Sequence, residues 1–240
     1  MHRRVLLRTS LAAVFAAAVL SAAAAAQGLK LARTPKKGDM VTYRFEVKGD
    51  VAEVPFSVTG RTKREVTEVK DSGDFVTTET NEETKVVVMG MELPSPPVLP
   101  LAITRARGNR LLDYKTEQQA DFIALEVQRL LSALGEPLMP GKDVSGGDTW
   151  ETEIENPVVA AKKVKVKTRF AGTEKLGEAE VWKVTQSAAA DLTEGQLSFD
   201  ATYWLDPSNG QILKQEAMVK NVPSQFGASS WTEIQERVKP

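Results

Sequence analysis

Between Gly38 and Val222 the chain alternates apolar and polar residues in one short segment after another. One stretch departs from that period of two: Thr116 to Gly135, TEQQADFIALEVQRLLSALG. Its apolar residues fall at Ala120, Ile123, Ala124, Val127, Leu130, Leu131 and Leu134, the spacing that gathers side chains on one helical face. Phe122 and Leu125 widen that face. Thr116 is placed to act as an N-cap, with Gln119 completing a capping box. Gly135 and then Pro137 supply the stop. A single helix with a broad apolar face has to be covered, and the surrounding strands are what can cover it.

The strands come in two runs with the same grammar. Gly38-Asp39 opens a segment in which Val41, Tyr43, Phe45 and Val47 share one face and Thr42, Arg44, Glu46 and Lys48 the other. Phe56–Val69 reads as a longer strand bent at Gly60, followed by a turn over residues 70–74 and strands over 75–80 and 85–91. Leu93-Pro-Ser-Pro-Pro-Val-Leu-Pro100 is expected to be an extended loop, and Gly108 turns the chain into Arg110–Tyr114. After the helix the order repeats. Gly147-Asp148 opens a strand, Lys163–Phe170 and Glu178–Val184 flank a turn over 172–177, and Asp206-Pro-Ser-Asn-Gly210 joins Leu197–Leu205 to Gln211–Val219. The offsets are 109 residues at the glycine–aspartate starts and 102 at the closing turns, which points to a duplicated β unit with the helix as its connection.

The expected organisation is therefore a segment 1–26, a polar leader 27–37, a first β half 38–115, the helix 116–135, a second half 136–223 and a mixed tail 224–240, in which Trp231-Thr-Glu-Ile234 reads as a last short element. The fold class is mainly β (α+β): two related antiparallel curved sheets, or a half-barrel, around one central amphipathic helix. Residues 1–26 read as an export signal, with a short basic start, an alanine-rich apolar run and small residues before Gln27. An uncleaved anchor is the competing reading, but the run from Leu11 to Ala26 falls short of the roughly 20 strongly apolar residues a spanning helix needs. Cleavage near Ala26 leaves 28 basic against 32 acidic residues, a balance that argues against a nucleic-acid partner. The expected location is periplasmic or extracellular.

Several chemistries are excluded by composition. The single histidine is His2 and there is no cysteine, so the exported chain has no imidazole base, thiolate or His/Cys metal ligand. Neither a cofactor, a catalytic set nor a metal site is expected. Gly135–Lys142 has the wrong spacing and context for a phosphate loop, and Asp206–Gly210 lacks the acidic twelfth position of a calcium loop. Lys163, Lys165, Lys167 and Arg169 form a basic row on one strand face, read as solvated and partly offset by Glu178 and Glu180. Those two glutamates are themselves read as surface residues.

The leader signal, the paired glycine–aspartate strands, the central helix and the closing D-x-x-x-G hairpin resemble secreted bacterial proteins with duplicated β halves. The coarse layout over residues 38–222 is also similar to the half-barrel superfamily of periplasmic lipoprotein carriers. That resemblance implies a curved sheet wrapped around a helix and sheltering lipid, and it transfers no functional residue. The expectation is a non-catalytic envelope protein binding an apolar, lipid-like or lipoprotein-like ligand between sheet and helix. Ile123, Val127, Leu130 and Leu131 would line the site, facing Tyr43, Phe45, Trp150 and Trp182. A structural or interaction module with an envelope protein partner and a fully packed core is the alternative, and a carboxylate-based hydrolase a third.

Overall fold

The computed structural model describes residues 28–94, 99–117, 122–224 and 227–238. The segment read as an export signal and Gln119, the expected partner in a capping box, lie outside them. The elements in chain order are β1 (Leu29–Lys30), β2 (Met40–Val51), β3 (Val54–Val69), β4 (Phe75–Val88), β5 (Met91–Leu93), β6 (Leu101–Arg105) and β7 (Leu111–Thr116). Helix α1 (Phe122–Leu134) follows, and then β8 (Asp143–Val144), β9 (Thr149–Glu155), β10 (Lys163–Leu176), β11 (Ala179–Asp191), β12 (Gln196–Leu205), β13 (Ile212–Ser224) and β14 (Gly227–Arg237).

Twelve of the strands form one antiparallel sheet, ordered β7-β6-β4-β3-β2-β14-β13-β12-β11-β10-β9, with β5 added along the far end of β4. The sheet is curved and stays open. Of the two arrangements expected from sequence, the single curved sheet is the one observed. Short loops fold most strands back on a neighbour, so register there follows from the turns, and the β2–β14 pair is the long-range exception. Curvature comes from bulges at Thr59/Arg61, Val66/Glu68, Phe170/Gly172, Trp204/Leu205 and Val219/Val222. The first of these sits at Gly60, where the sequence suggests a bend.

The two glycine–aspartate corners are built alike. Gly38 N donates to Val66 O at 2.8 Å and Val66 N to Asp39 O at 2.9 Å. At the second corner Gly147 N donates to Phe170 O at 2.7 Å and Phe170 N to Asp148 O at 2.9 Å. Each aspartate carboxylate also accepts from the backbone three residues upstream, Lys36 N at 2.8 Å and Ser145 N at 2.9 Å.

Thr116 closes β7 opposite Leu101, and the residues between it and α1 that would carry the expected cap lie outside the described ones. Four details differ from the sequence reading. Residues 75–88 are one strand held by β3 along its length. The turn expected over 172–177 is a bulge at Gly172 followed by a tight reversal after Leu176. The leader is not merely polar: Leu29–Lys30 pairs with β8, and Leu31 and Arg33 are buried. The tail is the largest departure, since β14 fills the middle of the sheet between β2 and β13.

The leader packs on the Asp206–Gly210 reversal, where Thr34 N donates to Asn209 O at 3.0 Å. Gly210 has φ +69°, and a Cβ there would stand 2.2 Å from Ala32 O. Both the backbone conformation and the close approach demand glycine. The core joins the inner face of α1 (Val127, Leu130, Leu134) to the concave side of β10–β13, including Val166, Val184, Leu205 and Ile212. The row Lys163, Lys165, Lys167 and Arg169 points outward as expected. Its acidic neighbours, however, are Glu155, Glu153 and Glu151 of β9, while Glu180 faces Lys175.

A candidate ligand cavity on the concave face

The helix is held at its C-terminal end. The last carbonyls of a helix have no partner within it, and here the sheet supplies them. Tyr203 Oη donates to Leu134 O at 2.7 Å, Gln186 Nε2 to the same oxygen at 2.8 Å, and Arg105 Nη2 to Ser132 O at 2.8 Å. The following segment is tied in the same way: Leu138 N donates to Gln186 Oε1, Asn109 Nδ2 to Pro137 O, and Trp150 Nε1 to Leu138 O. Further up the helix, Tyr114 Oη donates to Gln128 Oε1 at 3.2 Å.

Beside this anchor lies a buried ionic cluster. Arg64 Nε stands 2.8 Å from Glu79 Oε1, an ion pair without hydrogen-bond alignment, and Arg64 Nη1 is 3.5 Å from Glu136 Oε1. Arg105 Nε is 4.0 Å from the same Glu136 oxygen, while its Nη1 donates to Asn109 O at 3.1 Å. Burial alone would push the Glu136 carboxyl up, but the guanidiniums of Arg105, Arg33 and Arg64 outweigh it and hold the group below its ordinary value. Burial likewise pushes the Tyr203 and Tyr43 hydroxyls up. The Arg64 guanidinium also lies 5.0 Å from the centre of the Tyr43 ring.

Between this cluster, the helix and the concave sheet is a cavity of about 570 Å³. Its polar wall includes Arg64, Glu79, Arg105, Gln215, Glu233 and Gln235. Gln235 is 3% exposed, and its Oε1 has no hydrogen-bond partner. Desolvation pushes the Glu233 carboxyl above its ordinary value, with Glu79 adding to the rise and Arg64 opposing it. The apolar wall is formed by Val47, Phe56, Ile103, Leu131, Phe199 and Trp231. The registers carry that wall along the sheet: Phe199 faces Val219, Val219 faces Trp231, and Trp231 faces Gly49 beside Phe56. Beyond, Phe56 and Val58 face Val88 and Val86, which in turn face Met91 and Leu93 of β5.

The structure scatters the residues expected to line the site. Leu131 lines the cavity. Val127 and Leu130 point into the packed core, at 4% and 0% exposure, and Ile123 is turned to solvent at 50%. Tyr43 is fully packed, its hydroxyl donating to Ile212 O at 3.0 Å. Trp150 and Trp182 pack against the core, and Phe45 is buried across from Gly60. The polar wall escaped the sequence reading, although a signal for it exists. Arg64 shares strand parity with Phe56, Val58 and Val66, and Arg105 with Leu101 and Ile103. A charged residue on an apolar face is the informative exception.

Other hollows are less suited to a ligand. A trough of about 950 Å³ on the outer face of β10–β14 is formed by outward side chains such as Thr185, Ser187, Asp200 and Thr202. Among the described residues no group of three or more acidic, histidine or cysteine side chains is arranged to hold a metal ion.

No protein-family model and no curated protein matches the chain. Among solved structures it is similar to lipovitellin, in a structure concerned with lipid–protein interactions, with a TM-score of 0.46 and 10% identity. That match covers 85% of this chain and 25% of lipovitellin, so the chain spans a quarter of that protein. It is similar also to a protein from Bacteroides fragilis described as exported and as having a YmcC-like fold, with a TM-score of 0.37, 12% identity, and coverage of 88% and 100%. A third is the hypothetical lipoprotein YmcC of Escherichia coli, with a TM-score of 0.33, 12% identity, and coverage of 100% and 98%. These are similarities of outline at low scores, and the functional reading rests on the cavity.

Proposed function

We propose that the protein is an exported, non-catalytic envelope protein that shelters an amphiphilic, lipid-like ligand between α1 and the concave sheet. The observation that carries this reading is the division of the cavity wall. One side is a continuous apolar strip from Phe199 to Phe56, and the other is a set of polar groups, with Arg105, Gln215 and Gln235 buried and Arg64, Glu79 and Glu233 half-buried. A concave, largely preformed pocket with a few convergent polar groups is the usual form of a small-molecule site. The guanidiniums of the polar wall are already matched, Arg64 by Glu79 and Arg105 by Glu136, and desolvation disfavours the charged form of Glu233. That favours an uncharged, hydrogen-bonding head group over an ionic one.

A carboxylate-based hydrolase is the second reading, favoured by Glu233, whose raised carboxyl lies in the same cavity as Glu79. It is the weaker one because Glu79 is engaged by Arg64 and has no free geometry as a base.

The test is native mass spectrometry of protein purified from its own envelope, followed by organic extraction. A stoichiometric bound amphiphile, lost in Leu131→Glu with the fold intact by circular dichroism, is the expected result. A clean unliganded mass, with no stabilisation on adding lipids, refutes it and leaves an interaction module. Leu131 is the side chain to charge, because Val127 and Leu130 belong to the core and would take the fold with them.

A further inference from the structure

We propose that the β4–β5 hairpin is a bilayer-contact tip, through which the hydrocarbon of a zwitterionic membrane meets the apolar strip of the cavity. The contact stands on its own evidence, and its use as the ligand's entrance rests on the cavity reading.

The first observation is exposure. Met89 is 66% exposed, Met91 63%, Leu93 43% and Val54 38%, all at one end of the sheet. Met89 N donates to Pro55 O at 3.0 Å, which seats the tip against the start of β3 beside Val54. The second observation is conformational. Met89 and Gly90 form the two-residue reversal between Val88 and Met91, with φ of +50° and +79°. The first position of such a turn is one that Asn, Asp or Gly fills without penalty. A long apolar side chain held there in a left-handed conformation is poor turn chemistry, and it puts a methionine at the outermost point of the hairpin.

The third observation is continuity. Cross-strand registers place Met91 opposite Val88, Val88 opposite Phe56, Leu93 opposite Val86 and Val86 opposite Val58. The parity of β4 is reset before Val86 by the bulge near Glu83, itself at φ +52°, so that Val86 and Val88 share the cavity face. The apolar strip therefore leaves the cavity at Phe56 and ends in the exposed methionines. The hairpin's other face is ionic, with Lys85 paired to Glu92 at 2.5 Å.

Area and charge select the occupant. Four such side chains expose at most a few hundred Å² in all, against roughly 800 Å² per partner in a stable protein interface. Unbranched, pliable methionine suits a fluid hydrocarbon surface. The nearby lysines, Lys48 and Lys85, are each matched by a carboxylate, Glu46 and Glu92. Among the described residues no basic cluster at the tip draws it to anionic lipid, and the attraction is apolar.

The experiment is co-sedimentation of the mature protein with phosphatidylcholine vesicles, comparing wild type with Met89→Asn, Met91→Thr and the double variant. Met89→Asn supplies the residue the turn prefers, so this variant melts no lower than wild type and loss of binding cannot be ascribed to unfolding. The bound fraction is expected to fall about tenfold in the double variant and to persist in wild type between about 50 and 500 mM salt. Unchanged binding in the double variant overturns the proposal. So does binding that requires anionic lipid and disappears with salt, or a wild-type dimer in sedimentation velocity that Met89→Asn dissolves. Loading from detergent-dispersed lipid, read by native mass spectrometry, separates the two readings. An empty cavity with intact vesicle binding sinks the cavity and leaves the tip, and a loaded cavity without vesicle binding does the reverse.

Discussion

Arg105→Met is the sharpest probe of how the helix is fixed over the sheet. The wild-type side chain is 3% exposed and gives two charge-assisted hydrogen bonds, to Asn109 O at 3.1 Å and Ser132 O at 2.8 Å. Each is worth about 1.5–3 kcal/mol when its partner is left buried and unpaired. Methionine has similar length and needs no desolvation, which offsets part of that loss. The net destabilisation expected is about 3 kcal/mol, read by urea unfolding followed through tryptophan fluorescence. The pH dependence gives a second signature. Glu136 is held below its ordinary carboxyl value, and Arg105 is the largest of the charges that hold it there. A depressed carboxyl stabilises the fold above its unfolded value, and that contribution is lost as pH falls through the folded value. Arg105→Met shrinks the contribution, so the gap between wild type and variant should be widest at neutral pH and narrow in acid. Combining the variant with Glu136→Gln should cost less than the sum of the two, since the substitutions share one ion pair. A loss under about 1 kcal/mol at neutral pH, a gap independent of pH, or strict additivity would refute the account of a coupled anchor.

Two further outcomes follow from the same geometry. Glu233 has a raised carboxyl value through burial in the cavity, so it favours the fold in acid and loses that benefit as pH rises through the folded value. Glu233→Gln, which is neutral throughout, should therefore match wild type near the acid end and exceed it at mildly alkaline pH; a variant less stable than wild type there would contradict the sign. Gly210→Ala places a Cβ 2.2 Å from Ala32 O at φ +69° and should cost about 1–3 kcal/mol. The accompanying change is faster proteolysis within residues 28–36 as the leader lifts from the Asp206–Gly210 reversal; unchanged cleavage there would show that the close approach does not hold the leader.

The strands that were legible are those whose inner face meets core. Val41–Val47 and Lys163–Phe170 alternate cleanly because every second side chain is packed, and Asp206–Gly210 announces its turn by composition. β14 was legible only as a short element at Trp231–Ile234, and for a physical reason. Its inward positions are Ser229, Trp231, Glu233 and Gln235, and two of them face the cavity as polar groups where a core strand would carry valine or leucine. The same chemistry that makes the site erased the pattern that marks a strand. The helix was legible in type, since periodicity identifies Val127, Leu130 and Leu134 as its buried side. The choice of site residues went astray because periodicity marks the buried face of α1 without telling core from cavity. That distinction depends on what stands opposite each side chain.

The seam between β2 and β14 dictates the order in which the molecule can be assembled. Its pairs run from Ser229 with Val51 to Arg237 with Tyr43, joining segments about 190 residues apart in the chain. Closing so long a loop costs on the order of 5 kcal/mol of chain entropy before any contact across it is gained. Such distant pairing is slow. Until Gly227–Arg237 arrives, β2 and β13 both present bare edges, and each half of the sheet is a partly formed object with an adhesive rim. The last described strand is thus the latch of the sheet: local hairpins can form on either side of it, and the two halves become one surface only when Gly227–Arg237 is seated.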